Sequence, residues 1–140
     1  MTCKEGVIKL SDGTKLRLRI AIVNAREKGI SPFGGVDIAV KVIGGIATIE
    51  VPDEIRRLVI DKPLVSGPFP PRDGWQIIDI KDFEPAYEEK EIETSKGNFL
   101  VKVQAEPVMA ARNINYKTEL DEPIYWVNWV YKVSWKPLEG

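Results

Sequence analysis

The chain of 140 residues has no histidine and a single cysteine, Cys3. Without an imidazole base, Ser-His-Asp and Cys-His nucleophile systems are excluded, and so are imidazole metal sites. One cysteine cannot form an internal disulfide or a zinc site built from several thiolates. Catalysis would have to rest on carboxylates, lysine, tyrosine, hydroxyls or a cofactor. We therefore expect a binding protein rather than an enzyme, with no cofactor and no metal.

The chain also lacks a dominant charge and any long apolar run. Its net charge is −1, so it carries no basic field of the kind that draws proteins to nucleic acid without sequence preference. No run approaches the ~18 apolar residues of a membrane span, and the first residues lack the apolar stretch of a secretory signal. These features predict a cytoplasmic protein with no membrane partner. The composition, rich in Ile, Val, Lys and Glu, is typical of thermophiles.

The length predicts one domain, residues 1–140, which can bury roughly two-thirds of the surface of the unfolded chain. Short segments with alternating apolar residues recur along it, separated by Gly and Pro. They amount to about eight strands and one short helix. Because hairpins connect most of them, we predict an all-β fold, an antiparallel β-sandwich or barrel, with α+β as the alternative.

The segment 124–136 is the strongest strand signal, since it carries five aromatic residues and neither Gly nor Pro. On a strand, alternate residues face opposite sides. One side is predicted to form a core wall, and its members are Tyr125, Val127, Trp129, Tyr131, Val133 and Trp135. The other side is amphipathic and carries Trp126 among polar residues.

The first hairpin is predicted to turn through a three-residue loop that ends at Gly13, in the left-handed conformation. This register places Ile8 beside Leu16 on an apolar face. It also leaves Lys9 directly opposite Lys15 on the other face.

A second hairpin is predicted around Gly44-Gly45, because two glycines between apolar runs suit a two-residue turn. Pairing Ile43 with Ile46 would then place Ala47 and Ile49 on the apolar face.

Residues 52–61 predict a short helix with a narrow apolar stripe of Ile55, Leu58 and Val59. Farther along, Pro107 cannot donate a ladder hydrogen bond, so it predicts a bulge or an edge. A separate strand over 108–117 is then expected to pair Tyr116 with Val127.

The polar side of the aromatic segment is the first candidate site. In the predicted register it gathers Trp126, Asn113, Asn115, Lys117, Asn128 and Lys132. A tryptophan can stack on a base or a sugar, and amides and ammonium groups can hold polar edges or phosphates. A second layer or a partner subunit could equally cover Trp126, and we favour that interpretation because large aromatic residues are usually buried.

Cationic side chains form the second candidate, a set of possible anion contacts: Lys9, Lys15, Arg17, Arg19 and Arg112. The first four share one face of the first hairpin, and we favour a solvated face, or one paired with the acidic stretch 79–93, over a phosphate site. Arg112 is predicted to point to the apolar face, where it either anchors an ion pair or lines a pocket for an anion. The carboxylates of residues 79–93 are interpreted as a solvated acidic face.

Three functions remain open. The leading hypothesis is a non-catalytic binding or assembly module that uses the aromatic sheet surface to contact itself or another protein. The second is a single-stranded nucleic-acid-binding protein, which we do not favour. The third is a small-ligand carrier, or a carboxylate-based enzyme, with an internal pocket lined by Arg112, Tyr116 and Tyr131.

Overall fold

Two antiparallel β-sheets, packed face to face, make up the fold seen in a computed structural model of the protein. The structure describes residues 3–32, 35–67 and 70–138. The elements in these ranges are β1 Cys3–Lys4, β2 Gly6–Leu10, β3 Lys15–Ile30, β4 Val36–Glu50, α1 Asp53–Arg57, β5 Trp75–Ile78, β6 Ile80–Glu84, β7 Ala86–Thr94, β8 Gly97–Asn113 and β9 Ile124–Pro137. The predicted all-β sandwich is confirmed, and the closed barrel is not formed.

The two sheets differ in the number and order of their strands. The four-stranded sheet has the order β4-β3-β2-β6. In the five-stranded sheet β8 is central. Strand β9 pairs with one side of β8, and β7 and β5 pair one after the other with its opposite side. Strand β1 pairs with the outer side of β7. Within the described ranges β1, β4, β5, β6 and β9 each pair with a single neighbour, so they are edge strands.

The core lies between the sheets, where every second residue of a strand points inward. Its most deeply buried aliphatic members are Ile8, Leu10, Leu16, Leu18, Val36, Val101 and Val103. Burying each of these side chains contributes roughly 1.5–3 kcal/mol relative to leaving it in water. Residues of the opposite parity form the two outer faces, where the candidate sites lie.

The first hairpin forms in the predicted register. Lys9 pairs with Lys15 and Ile8 with Leu16. Gly13 has a φ of 92°, in the left-handed region that favours glycine, and the Leu10 amide donates to the Thr14 carbonyl at 2.9 Å to close the three-residue loop. The prediction held because every determinant of this hairpin is local.

The predicted second hairpin is wrong. Strand β4 runs straight through Gly44-Gly45 and pairs with β3 along its length. A Cβ at position 44 would stand 2.9 Å from Cζ2 of Trp129 and from the Tyr131 hydroxyl oxygen, so Gly44 permits close packing between the sheets rather than a turn. The unbroken strand turns Ala47 and Ile49 outward. Of its two glycines, Gly44 faces the aromatic rings and Gly45 faces open space.

The predicted helix exists but is shorter than expected, spanning Asp53–Arg57 after Pro52. Ile55 and Val59 are buried as the apolar stripe requires, whereas Leu58 is exposed. The stripe is therefore narrower than predicted, because only one side of this single turn meets the rest of the protein.

The predicted register of the aromatic strand is also wrong. Val127 pairs with Ala110 rather than with Tyr116, because β8 continues through Pro107 to Asn113 as one strand. The predicted bulge is present between Pro107 and Met109, and it accommodates the proline without ending the strand. Residues 114–123 consequently form the connection to β9.

The predicted core wall of β9 is only partly enclosed. Val127 is buried and packs in the core, with Trp129 partly buried against it. Tyr131 and Val133 keep 38% and 41% of their surface exposed. They point inward, but β9 is an edge strand, so the sandwich does not enclose them fully.

Candidate functional site

The outer face of the five-stranded sheet carries a group of apolar side chains around Trp126, which is 43% exposed. Ala111 of β8 lies opposite Trp126, and Ile77 of β5 lies opposite Ala111 on its other side. Met109 and Val130 extend the surface along β8 and β9, and both are exposed. We call these five residues the Trp126 patch.

The small side chain of Ala111 shapes this patch. Ala111 is only 5% exposed although it points outward, whereas its neighbour Ile77 is 75% exposed. The larger side chains on either side therefore cover Ala111 and stand above it. The result is a shallow apolar surface across three strands rather than a single protruding tryptophan.

Polar groups interrupt the patch along β9 and border it. Asn128 lies between Trp126 and Val130 on the same face and is exposed. Lys132 Nζ stands 2.9 Å from Glu106 Oε2. The hydrogen bond from Lys132 holds the pKa of Glu106 below its usual value. An apolar centre with an ion-paired rim is the usual arrangement of a protein interface.

The structure disperses the other predicted members of this face. Asn113 is fully buried at the end of β8, where its Nδ2 donates to the Asp73 carbonyl at 2.9 Å. Asn115 lies in the following connection, as does Lys117, which donates to the Ile60 carbonyl at 3.0 Å. Of the six predicted residues, Trp126, Asn128 and Lys132 lie along the outer face of β9. Asn113 has the parity of the outward-pointing Ala111 but is buried.

Sequence reasoning missed Ile77 and Met109. Ile77 reaches the patch through pairing of β5 with β8, and Met109 reaches it through the bulge after Pro107. The pairing of β5 with β8 is not local, so no pattern around Ile77 could have indicated it. A bulge at Pro107 was predicted, but the place of Met109 opposite Asn128 depends on the register of β9.

The basic hairpin residues lie on the outer face of the other sheet. Lys15 is 3.5 Å from Glu50, and Arg17 Nε is 3.3 Å from Glu5 Oε2. Arg19 also binds Glu5, and this hydrogen bond lowers the pKa of the Glu5 carboxyl. Lys9 pairs across the strands with Asp82 of β6. The ion pairs of Lys15, Arg17 and Arg19 use Glu50 and Glu5, which are outside the acidic stretch 79–93 named in the prediction.

Arg112 forms an ion pair with Asp12, with Nη1 3.0 Å from Oδ2. The same carboxylate accepts a hydrogen bond from the Tyr125 hydroxyl at 3.1 Å and, through Oδ1, one from the Thr14 amide at 2.8 Å. Burial raises the pKa of Tyr125 above its usual value, and the charge of Asp12 adds to this effect. These contacts join the first hairpin loop to the β8–β9 pair across the sandwich.

The tyrosines of the predicted pocket lie elsewhere. Tyr131 packs edge-to-face against Trp129, with ring centroids 6.5 Å apart, and Tyr116 lies in the connection after β8. In the register of the sheet Arg112 pairs with Tyr125. Arg112, Tyr116 and Tyr131 are thus distributed over three parts of the molecule.

Comparisons of the chain with protein-family models, with curated proteins and with solved structures found no match. Among the described residues, no helix has the length and apolar character needed to cross a membrane. In those same ranges no three His, Cys, Asp or Glu side chains are grouped closely enough to hold a metal ion.

Proposed function

We propose that the protein is a non-catalytic assembly module that pairs with a second copy of itself through the Trp126 patch. The observation that carries the proposal is the group of apolar side chains on one outer sheet face, where Trp126, Ile77 and Val130 are all exposed. Outer faces of antiparallel sheets are usually polar because they meet water. An exposed apolar set with a polar rim is typical of an interface.

The chemistry of the patch suits a protein surface. Tryptophan is enriched among the interface residues that contribute most to binding, with losses of ~2 kcal/mol or more on truncation to alanine. Each Å² of apolar surface removed from water contributes about 25 cal/mol, so covering Ile77 and Trp126 together is favourable. Two copies of one flat patch can pair about a twofold axis without any further element.

The groups with shifted pKa values do not indicate a general acid or base. The pKa values of Glu5, Glu27 and Glu106 are lowered by hydrogen-bonding partners. The pKa values of Tyr87 and Tyr125 are raised, to about 12 for Tyr87. All five shifts move the group away from neutral pH, whereas a general acid or base works best with a pKa near the pH of the reaction.

The nucleic-acid alternative receives less support from the geometry. Trp126 lies on the outer face of the five-stranded sheet, whereas Arg17 and Arg19 lie on the outer face of the four-stranded sheet. One strand of nucleic acid would have to cross an edge of the sandwich to contact both. A stacking platform and a cationic groove normally adjoin each other in single-strand binders.

The test is the molar mass in solution of the wild type and of Ile77→Glu, measured by light scattering over a range of concentrations. Ile30→Glu is the matched control, since Ile30 also lies on a strand and is 78% exposed, against 75% for Ile77. We expect a wild-type dimer, an Ile77→Glu monomer and an Ile30→Glu dimer. A wild-type monomer at every concentration, or equal effects of the two variants, would contradict the proposal.

A further inference from the structure

A groove of about 410 Å³ crosses the outer face of the four-stranded sheet. Six of its lining residues point outward from β3 and β4: Arg17, Arg19, Ala21, Ile43, Gly45 and Ala47. Gly45 leaves the floor open, because a Cβ built there meets no atom within 4 Å. The volume falls in the range of about 300–1,000 Å³ that is usual for small-ligand sites.

The pairing of β3 with β4 leaves the two arginines without an acidic neighbour on the groove side. Lys15 lies opposite Glu50, so β4 supplies a carboxylate to the first cation of this row. Arg17 instead lies opposite Ala47, and Arg19 lies opposite Gly45. Alanine and glycine thus occupy the two positions opposite the arginines. Neither residue can supply a carboxylate there, as Glu50 does for Lys15.

Glu5 holds both guanidinium groups from the side away from the groove. It lies 3.3 Å from Nε of Arg17 and accepts a hydrogen bond from Nε of Arg19 at 2.9 Å. A guanidinium has five N–H donors, and one carboxylate shared between two guanidiniums satisfies a minority of them. The lining has two cations and no acidic residue, so its charge favours an anion.

From this geometry we infer that the groove binds a small organic anion, a phosphate or carboxylate joined to a compact apolar group. The oxyanion contacts Arg17 and Arg19, since guanidinium groups match the oxygen spacing of both anions. The apolar group lies on Ala21 and Gly45 against Ile43. The groove and the Trp126 patch lie on different sheets, so this inference does not depend on the proposed function.

The test is a ¹H–¹⁵N NMR titration of the protein with phenyl phosphate and, separately, with benzoate. Phenol is the neutral control, because it keeps the ring and lacks the oxyanion. We expect both anions to shift the amide signals of Ala21, Gly45 and Ala47, with affinity that falls as salt is added. A stronger effect of one anion identifies which oxyanion the site prefers.

Two variants make the test specific. Gly45→Val fills the groove and should weaken anion binding at least about tenfold, a difference of about 1.4 kcal/mol. Gly29→Val is its control, since Gly29 lies on the same strand pair and a Cβ there also meets no atom within 4 Å. Replacing Arg17 and Arg19 together by Gln should also weaken binding at least about tenfold, through lost charge rather than lost space.

Three results would overturn the inference. The first is that phenol shifts the same signals as strongly as the anions. The second is that Gly45→Val and the arginine variant bind the anions like wild type. The third is that no signals near the groove shift at millimolar anion. Loss of dimerisation in Ile77→Glu bears only on the Trp126 patch, so the two proposals can fail separately.

Discussion

Gly44 of β4 lies directly beneath the ring of Trp129 of β9, so close that a Cβ at position 44 would stand 2.9 Å from Cζ2 of that ring. The two residues belong to different sheets, and both are on edge strands. This contact therefore closes the side of the sandwich where β4 and β9 meet. Trp135 reinforces it, because its Nε1 donates to the Val36 carbonyl at 3.0 Å.

Gly44→Ala should destabilise the protein by about 1–3 kcal/mol, because the added methyl group must displace the rigid rings of Trp129 and Tyr131. Gly45→Ala should be neutral or slightly stabilising, because that position is open and alanine restricts the unfolded chain. Urea unfolding of both variants measures the difference. Equal stabilities for the two variants would show that the aromatic rings do not require glycine at position 44.

Asp12→Ala should lower the free energy of unfolding by about 3–5 kcal/mol, because it leaves the partly buried guanidinium of Arg112 without its carboxylate. Tyr125→Phe removes one hydrogen bond to the same carboxylate. A double-mutant cycle over Asp12 and Tyr125 should give a coupling of about 0.5–3 kcal/mol. If the effects of the two substitutions on the free energy of unfolding are strictly additive, Asp12 and Tyr125 stabilise the protein independently of each other.

The raised pKa of Tyr125 predicts how stability changes in alkali. In the unfolded chain this hydroxyl ionises near pH 10, whereas in the folded protein burial keeps it protonated to higher pH. The unfolded state therefore binds fewer protons than the folded state above about pH 10, so stability falls as the pH rises. Its contribution is fully present below about pH 10.

The measurement is the free energy of unfolding between pH 8 and pH 12 for wild type and Tyr125→Phe. The phenylalanine variant should lose less stability over the alkaline part of this range, because it lacks the hydroxyl whose ionisation favours the unfolded state. Parallel curves for the two proteins would contradict the prediction.

Glu122→Ala should loosen the connection before β9. The Glu122 carboxylate is nearly buried and accepts hydrogen bonds from Thr48 Oγ1 at 2.6 Å and from Arg56 Nη2 at 2.9 Å. Removing it takes one hydrogen-bond partner from each of the two donors, at a cost of about 1–3 kcal/mol. Hydrogen exchange of the Asp121 amide, which bonds to the Thr118 carbonyl, should become faster. Glu119→Ala, at an exposed position nearby, is the control and should change little.

Several features follow from the sequence alone. The three-residue loop ending at Gly13 and the pairing of Lys9 with Lys15 were predicted, because hairpin register depends on the loop and on the separation of polar from apolar residues in two short strands. The alternation along β9 likewise separated Trp126 from the inward-pointing Val127. Local periodicity and turn chemistry were sufficient for these features and for the sandwich class.

Tertiary structure alone decided the meaning of Gly44-Gly45, the register of β9 and the partners of the exposed tryptophan. The same glycine pair suits a turn or a close approach, and only the rings of Trp129 and Tyr131, far along the chain, select the second. In the same way Arg112 meets Asp12, and Trp126 meets Ala111 beside Ile77, through strand pairings that no neighbouring residue specifies. Packing between segments far apart in the chain determines these contacts, so the local sequence pattern around each residue could not predict them.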